Sequence, residues 1–222
     1  MEIRRVVKER RSIRKFKPDQ VPESLIRDIL DEARWSPSWG NTQPWEFYVV
    51  TGEALERFKI ANCGKLDEGA SSAPEIKMPG SWPERLKKRY SAVGKSTLDA
   101  LGLAREDQKG RAEQARAMFR LFDAPCLIVA DVDKGSSSIE YAMLDVGLIT
   151  QTLCLLAHDR GLGTCIMASV LFFPSALKDI LPDAENKLMA VGIALGYPDR
   201  EAPINNFERE RAPLEENIVW VK

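Results

Sequence analysis

Apolar residues recur at helical spacing in three parts of the chain. After Pro22, a residue tolerated in the first turn of a helix, apolar side chains follow at positions 25, 26, 29, 30 and 33. This pattern predicts a helix over 22–34. The same spacing predicts a long helix from residue 138 to a break at Gly161, and a shorter helix over 174–181.

Short runs rich in β-favouring residues predict strands at 45–50, 125–130, 164–167 and 188–195. A further strand-like run, 218–221, lies near the C-terminal end. Because an apolar, strand-forming terminus is costly to leave in water, we expect this run to pair with another segment.

The composition turns polar and charged between about residues 63 and 122, where apolar periodicity returns only in short helical pieces. This stretch has too few large apolar residues to bury a core of its own. We therefore predict one domain over 1–222, with a variable polar lid or insertion at about 63–116 and a C-terminal arm at about 205–222.

Composition excludes some classes of protein. The chain has 222 residues, 44% of them hydrophobic, and a formal net charge of −1. It is an ordinary globular chain by these measures, and it is not built globally to bind a polyanion. Any nucleic-acid or membrane-surface binding would need a local basic patch, and the first seventeen residues contain one, so a polyanion-binding protein stays open as an alternative.

The chain has few residues that could bind a metal ion or act as a nucleophile. The four cysteines are scattered without a CxxC pair, and His158 is the only histidine. We predict no metal site, and any Ser-His or Cys-His nucleophile would depend on this one histidine. We interpret His158 as a structural or helix-end residue.

Neither end of the chain nor its interior suggests a membrane protein. The first seventeen residues are charged and lack the apolar region of a signal peptide. The longest apolar stretch, 146–157, is too short to span a bilayer. We predict no membrane partner and a cytoplasmic location.

Two strings imitate nucleotide-binding motifs. Gly-Lys-Ser-Thr at 94–97 resembles the end of a P-loop, but Arg89 stands where that pattern needs glycine. Gly-Leu-Gly at 161–163 leaves a helix to enter a strand, whereas a dinucleotide-binding loop runs the opposite way. Gly161 is better interpreted as a helix C-cap in the left-handed conformation.

The basic cluster at 10–14 carries more specific information. Arg10, Arg11 and Arg14 set three guanidinium groups around the hydroxyl of Ser12. Guanidinium forks bind phosphate in a bidentate manner, so this cluster fits a compact anion such as a mononucleotide phosphate. A solvated basic tail is the alternative. A second basic pair, Arg209 and Arg211, falls on one side of an extended segment.

Five motifs occur in this chain in the order and rough spacing of the nitroreductase family of flavin enzymes. They are Arg-Arg-Ser-Ile-Arg at 10–14, Ser-Pro-Ser-Trp-Gly-Asn-Thr-Gln-Pro-Trp at 36–45, Gly-Leu-Gly-Thr at 161–164, Leu-Gly-Tyr-Pro at 195–198 and Arg-x-Arg-x-Pro at 209–213. Outside about 63–116, the chain resembles that family over almost its whole length.

The resemblance implies an α+β fold of the FMN-dependent nitroreductase type, with a mostly antiparallel central sheet flanked by helices. It also implies an intertwined homodimer with FMN at the interface. Arg10 and Ser12, with the pair Arg209 and Arg211, match positions that hold the FMN phosphate. Arg14 matches a cation at the pyrimidine edge of the flavin, and Arg11 is included among the cofactor-binding residues without a firm role of its own.

The loop that the partner subunit lays against the flavin corresponds to Pro37, Ser38, Trp39 and Asn41. Ala168 and Ser169 match a pair whose backbone amide faces flavin N5, where many relatives carry Glu-Gly. Arg120 matches a further cation position. Trp39, Trp82 and Phe119 are candidates for an aromatic slot, although each also fits plain packing.

The implied activity is reduction of nitroaromatic or quinone-like acceptors by NADH or NADPH, with the chemistry at the flavin and ping-pong kinetics. Two alternatives share the fold: a reductive dehalogenase and a flavin-fragmenting enzyme. Their specialisation would be encoded in the polar segment.

Overall fold

The computed structural model describes residues 2–222, which form seven α-helices and one four-stranded sheet. The helices are α1 Ile3–Glu9, α2 Glu23–Ala33, α3 Gly52–Asp67, α4 Glu84–Ala100, α5 Gln108–Phe119, α6 Ile139–Asp159 and α7 Pro174–Lys178. The strands are β1 Trp45–Thr51, β2 Cys126–Asp133, β3 Gly163–Met167 and β4 Lys187–Gly196. All four predicted internal strands are therefore present.

The sheet has the order β1-β2-β4-β3, and each neighbouring pair is antiparallel. The predicted α+β class with a mostly antiparallel sheet is confirmed. Strand β2 is central and buried on both faces, whereas β1 lies at an edge and is partly exposed. A β-bulge between Ala130 and Asp131 interrupts the pairing of β2 with β4. There Asp131 is fully buried, and neither carboxylate oxygen has a hydrogen-bond partner within residues 2–222.

Two apolar clusters cover the two faces of the sheet. Alternate residues of β2 point in opposite directions, so Leu127 and Val129 join one cluster while Ile128 and Val132 join the other. Helices α3, α5 and α7 contribute to the first cluster, and α2 and α6 to the second. This layering places the sheet between two helical layers.

Helix α6 ends as the sequence predicts. Gly161 has φ +79°, its N–H donates to the carbonyl of His158, and Leu162 N–H donates to the carbonyl of Ala157. This arrangement is a left-handed glycine cap, and the interpretation of Gly161 is confirmed. At 21 residues, α6 is long and apolar enough to cross a membrane by length and composition alone, in contrast to the shorter stretch predicted. Its buried side, with Ile149 and Leu153, packs into the second cluster as in a core helix.

Other boundaries differ from the predictions. The polar segment holds α4 and α5, with 17 and 12 residues, which are longer than the short pieces expected. Helix α7 stops at Lys178 because the chain tightens into turns through Ile180 and Leu181. Residues 218–221 form no strand, and Trp220 is 80% exposed. The prediction of a strand at 218–221 is wrong for the single chain. Within residues 2–222, these residues make no backbone hydrogen bond to a strand.

Candidate functional site

The basic cluster lies on an extended segment that follows α1. Ser12 forms a parallel bridge with Thr164 of β3, and Ile13 N–H donates to the Thr164 carbonyl at 2.9 Å. Farther along, Lys17 N–H donates to the carbonyl of Tyr197 at 2.8 Å. These bonds hold the backbone of the segment against the end of the sheet.

Asn205 holds the same segment from the other side. Its Oδ1 accepts from Arg14 N–H at 2.7 Å, and its Nδ2 donates to the carbonyls of Lys15 and Asp199, each at 2.8 Å. The side chain is 3% exposed. This role could not be predicted from the sequence, because asparagine in a polar loop is common.

Arg209 connects the C-terminal arm to the N-terminal segment. Its guanidinium donates to the carbonyls of Lys8, Glu9 and Arg10, at the C-terminal end of α1. Such carbonyls lack partners within the helix, and a cation there also interacts favourably with the helix dipole. Burial, followed by the charges of Arg11 and two other arginines, lowers the pKa of Arg209.

Arg11 has a contact that the sequence did not indicate. Its guanidinium donates to the carbonyl of Phe207 and lies over the Phe207 ring. Burial, and then the charge of Arg14, lowers its pKa. Arg11 therefore anchors the start of the C-terminal arm. The centroid of the Phe207 ring also lies 6.0 Å from the guanidinium carbon of Arg14.

Three guanidinium groups remain for a ligand. Within residues 2–222, the side chains of Arg10 and Arg14 donate no hydrogen bond to any group and form no ion pair. Arg211 donates only to the carbonyl of its neighbour Glu210, at 2.7 Å. These three arginines line one groove together with Ser12, and guanidinium groups without a carboxylate partner favour an anion.

These residues line a groove of about 1010 Å³ between the basic cluster, α4 and the arm. At the α4 side, Arg89 pairs with Glu216 at 2.6 Å and Lys95 pairs with Asp99 at 2.6 Å. Charges there are mutually compensated. Toward the end formed by Arg10 and its neighbours, Glu208 and Glu210 also line the groove, but neither forms an ion pair within residues 2–222. The groove is at the upper end of the size of small-molecule sites, roughly 300–1000 Å³.

The Ser36–Trp45 loop lies elsewhere in the same chain, against α6. Trp39 N–H donates to both oxygens of Asp145, at 3.2 and 3.1 Å, and the Trp39 ring packs on Tyr141 with centroids 4.5 Å apart. Ser36 Oγ donates to Thr152 Oγ1 at 2.8 Å. Pro37, Ser38, Trp39 and Asn41 do not line the groove of their own chain.

Asp145 is a second residue that the sequence reasoning missed. Its side chain is buried, with the residue 4% exposed, and no Lys or Arg within residues 2–222 pairs with it. A signal was present: Asp145 stands three residues after Ala142 and four before Ile149, which both face the core. A carboxylate at core-facing spacing indicates a specific partner.

The other predicted site residues lie outside the groove or in the core. Ala168 and Ser169 open a short turn after β3, Ala168 exposed and Ser169 buried, and neither lines the groove. Phe119 packs against Phe172 and Phe173, with centroids 5.9 and 5.7 Å away, so it belongs to the core. Arg120 pairs with Asp123 at 3.0 Å, and Trp82 is partly exposed just before α4.

The cysteines are buried and unsuited to nucleophilic chemistry. Burial raises the pKa of Cys126 to about 12, and it also raises the pKa of Cys63, Cys154 and Cys165. A thiol with a raised pKa carries little thiolate, which is the reactive form.

Comparison with known proteins gives a consistent result. The sequence profile described as "Nitroreductase family" matches residues 7–197. The chain is 34% identical to a 4-nitrobenzoate reductase of Pseudomonas putida, over 93% of this chain and 89% of that protein. It is 33% identical to a chloronitrobenzene nitroreductase of Comamonas testosteroni, over 97% and 95%. The crystal structure of the FMN and NADPH-dependent nitroreductase NfnB from Sphigopyxis sp. strain HMH superimposes with a TM-score of 0.94 at 28% identity, covering 100% of both chains.

Proposed function

The chain belongs to the nitroreductase family, and on that basis we propose that it is an FMN-dependent oxidoreductase that uses NADPH or NADH to reduce nitroaromatic acceptors. Its relatives act on nitrobenzoate and chloronitrobenzene, and the similar solved enzyme depends on FMN and NADPH. Quinone-like acceptors belong to the same proposal. The observation that carries it is the convergence of Arg10, Ser12, Arg14 and Arg211 on one groove.

The residues present fit FMN. Its phosphate is a dianion, and the groove offers uncompensated guanidinium groups and a hydroxyl, a donor set typical of phosphate sites. In this proposal Arg10 and Ser12 hold the phosphate, and Arg211 supplies a further charge. Arg209 keeps the backbone of Arg10 in place through its bonds to the α1 carbonyls. When bound, FMN supplies the two-electron redox chemistry that protein side chains lack.

Arg14 has the electrostatic role in this proposal. Its backbone is fixed by Asn205 and its guanidinium carries no ion pair within residues 2–222. A fixed cation beside the pyrimidine edge stabilises negative charge where it develops, and a preorganised charge costs little rearrangement. Arg14 would therefore favour the reduced cofactor and raise its potential.

The other wall of the site comes from a second copy of the chain in our proposal. Pro37, Ser38, Trp39 and Asn41 do not reach the groove of their own chain, which agrees with their supplying the partner's site in a homodimer. Tyr141 and Leu144 leave apolar surface exposed on α6 beside that loop. The backbone of Ala168 and Ser169 is the proposed donor toward the reactive nitrogen of the flavin.

The test is the visible spectrum of the purified protein, followed by oxidation of NADPH and NADH with 4-nitrobenzoate and a quinone as acceptors. Arg10→Glu should give a colourless protein, because a carboxylate replaces a phosphate ligand. Arg27→Glu is the matched control, since Arg27 is an exposed residue of α2. A wild-type protein that neither carries nor binds FMN would overturn the proposal. Salt-dependent retention on DNA without flavin would favour the polyanion alternative.

A further inference from the structure

A second, smaller cavity lies behind the basic cluster. It has a volume of about 140 Å³ and shares only Arg10 and Arg11 with the groove. Its other walls come from the end of α6, from β3 and from the turn after β4, and its polar lining includes His158 and Arg200. The cavity thus borders the phosphate end of the groove without belonging to it.

The charges around this cavity are predominantly positive. Arg10, Arg11 and Arg200 face one carboxylate, that of Glu9, which pairs with Arg5 at 2.7 Å. Arg200 forms no ion pair and donates no side-chain hydrogen bond within the part of the chain described. Several guanidinium groups around one small cavity repel each other, and an anion between them relieves the repulsion.

His158, in the same wall, has a buried ring nitrogen without a hydrogen-bond partner. Its Nε2 is buried and hydrogen-bonds to none of residues 2–222, and the nearest carboxylate oxygen, on Glu9, is 3.8 Å away. That separation is longer than a hydrogen bond. A buried polar atom without a partner costs free energy, and a ligand that accepts from it removes the cost.

We propose that this cavity binds a compact inorganic oxyanion, of the phosphate or sulfate class, held by Arg200 and His158, while Arg10 stays assigned to the FMN phosphate and adds its positive charge from the shared wall. The size decides the class of ligand. One water needs roughly 10–15 Å³ of such volume, so about 140 Å³ accepts a polyatomic anion. Sites for nucleotides and drug-sized molecules start at roughly 300 Å³, so they are excluded.

The protonation of His158 should change when an anion binds in the cavity. Burial is the main cause that lowers its pKa, the charges of Arg200 and Arg10 lower it further, and Glu9 acts in the opposite direction. An anion beside the imidazole favours the charged form, so binding raises the pKa. Since His158 is the only histidine, its signal is unambiguous in an untagged protein.

The experiment uses the FMN-loaded enzyme, so that the phosphate end of the groove is filled. The imidazole resonances of His158 are followed by NMR while inorganic phosphate is added, with chloride at matched ionic strength as the reference. We expect a saturable shift and a higher His158 pKa with phosphate, and neither with chloride. The absorbance of bound flavin, read in the same samples, separates loss of this site from loss of FMN.

Two variants decide the assignment. Arg200→Gln should weaken phosphate binding about tenfold or more, because one charge-assisted contact is lost. Arg200 is exposed, so its replacement leaves the core intact. Arg27→Gln should bind phosphate as the wild type does. The proposal is overturned if phosphate gives no saturable shift beyond that of chloride, or if Arg200→Gln binds phosphate with unchanged affinity.

Discussion

The guanidinium carbon of Arg11 lies 5.3 Å from the centroid of the Phe207 ring, while the same guanidinium donates to the Phe207 carbonyl. Arg11→Lys keeps the charge but loses the planar fork that makes both contacts. A cation–π contact contributes roughly 0.5–1 kcal/mol and a hydrogen bond about 0.5–1.5 kcal/mol. We therefore expect FMN affinity to fall about tenfold.

The accompanying measurement is hydrogen exchange of residues 205–213, which should accelerate in Arg11→Lys. Phe207→Leu removes the ring and keeps the carbonyl, so it should give a smaller change in the same direction. Arg27→Lys on α2 is the control. If Arg11→Lys showed the hydrogen exchange and the FMN affinity of the wild type, the charge of Arg11 alone would explain its role.

Asp145 should determine the position of the loop that contains Trp39. Asp145→Ala removes the acceptor of Trp39 N–H, a bond to a charged group that contributes about 1.5–3 kcal/mol. We expect faster hydrogen exchange over 36–43 and weaker FMN binding, with Asp145→Asn intermediate because one oxygen remains. Asp28→Ala, at an exposed position of α2, is the control. Unchanged exchange over 36–43 in Asp145→Ala would refute this role.

Gly163 allows the N-terminal segment to approach β3. A Cβ at this position would lie 2.6 Å from Cγ1 of Ile13, which is branched, buried and next to Ser12. Gly163→Ala should displace Ile13 and with it the neighbouring residues that we propose as phosphate ligands, at a stability cost of about 1–3 kcal/mol. A chemical denaturation curve and an FMN titration measure the two effects.

A matched glycine provides the comparison. Gly64 lies inside α3, and a Cβ there meets no atom within 4 Å. Gly64→Ala should therefore leave FMN affinity unchanged and raise stability by up to about 1 kcal/mol, as alanine does in a helix. Equal FMN affinities for the two alanine variants would show that the close approach at Gly163 does not position the site.

Asp131 should make stability depend on pH. Burial, then the charges of Glu46 and Asp133, raises the pKa of Asp131 to about 6, while Lys187 lowers it. The native state thus holds this proton to a higher pH than the unfolded chain, whose ordinary value is 3.8. The contribution to stability is complete below about pH 4 and is lost as the pH rises through about 6.

Asp131→Asn removes this charge at nearly constant shape. The variant should match the wild type near pH 4 and exceed its free energy of unfolding by on the order of 2 kcal/mol at pH 7.5. Urea denaturation at both pH values measures the difference, and Asp19→Asn, at an exposed site, is the control. A stabilisation of equal size at both pH values would contradict the linkage.

The sequence predicted most elements because their signals are local. The β2 run and the periodicity of α6 are apolar patterns that packing preserves, and the cap at Gly161 needs only a glycine after a helix. The basic residues that meet in the groove were predicted through the family resemblance. Spacing alone did not relate Arg10 to Arg211, because their proximity depends on the fold of the whole chain.

The features that the sequence did not predict depend on contacts between distant parts of the chain. Arg11 was left without a role because its partner, Phe207, is 196 residues away. The helices α4 and α5 are polar, and their partners lie in distant parts of the chain: Arg89 of α4 pairs with Glu216, and Arg116 of α5 pairs with Asp67. Strand formation at 218–221 was predicted from propensity, but a strand needs a neighbour and none of residues 2–222 pairs with it.

The hydrogen bonds from Arg209 to the end of α1 join residues that are 199 to 201 positions apart. During synthesis, a nascent chain that has folded its sheet still lacks the last part of its ligand site. Cofactor capture therefore has to wait until the arm has docked on α1, and yellow colour reports a chain in which that docking is complete. A protease that clips the arm after Asn205 would yield a folded but permanently colourless protein.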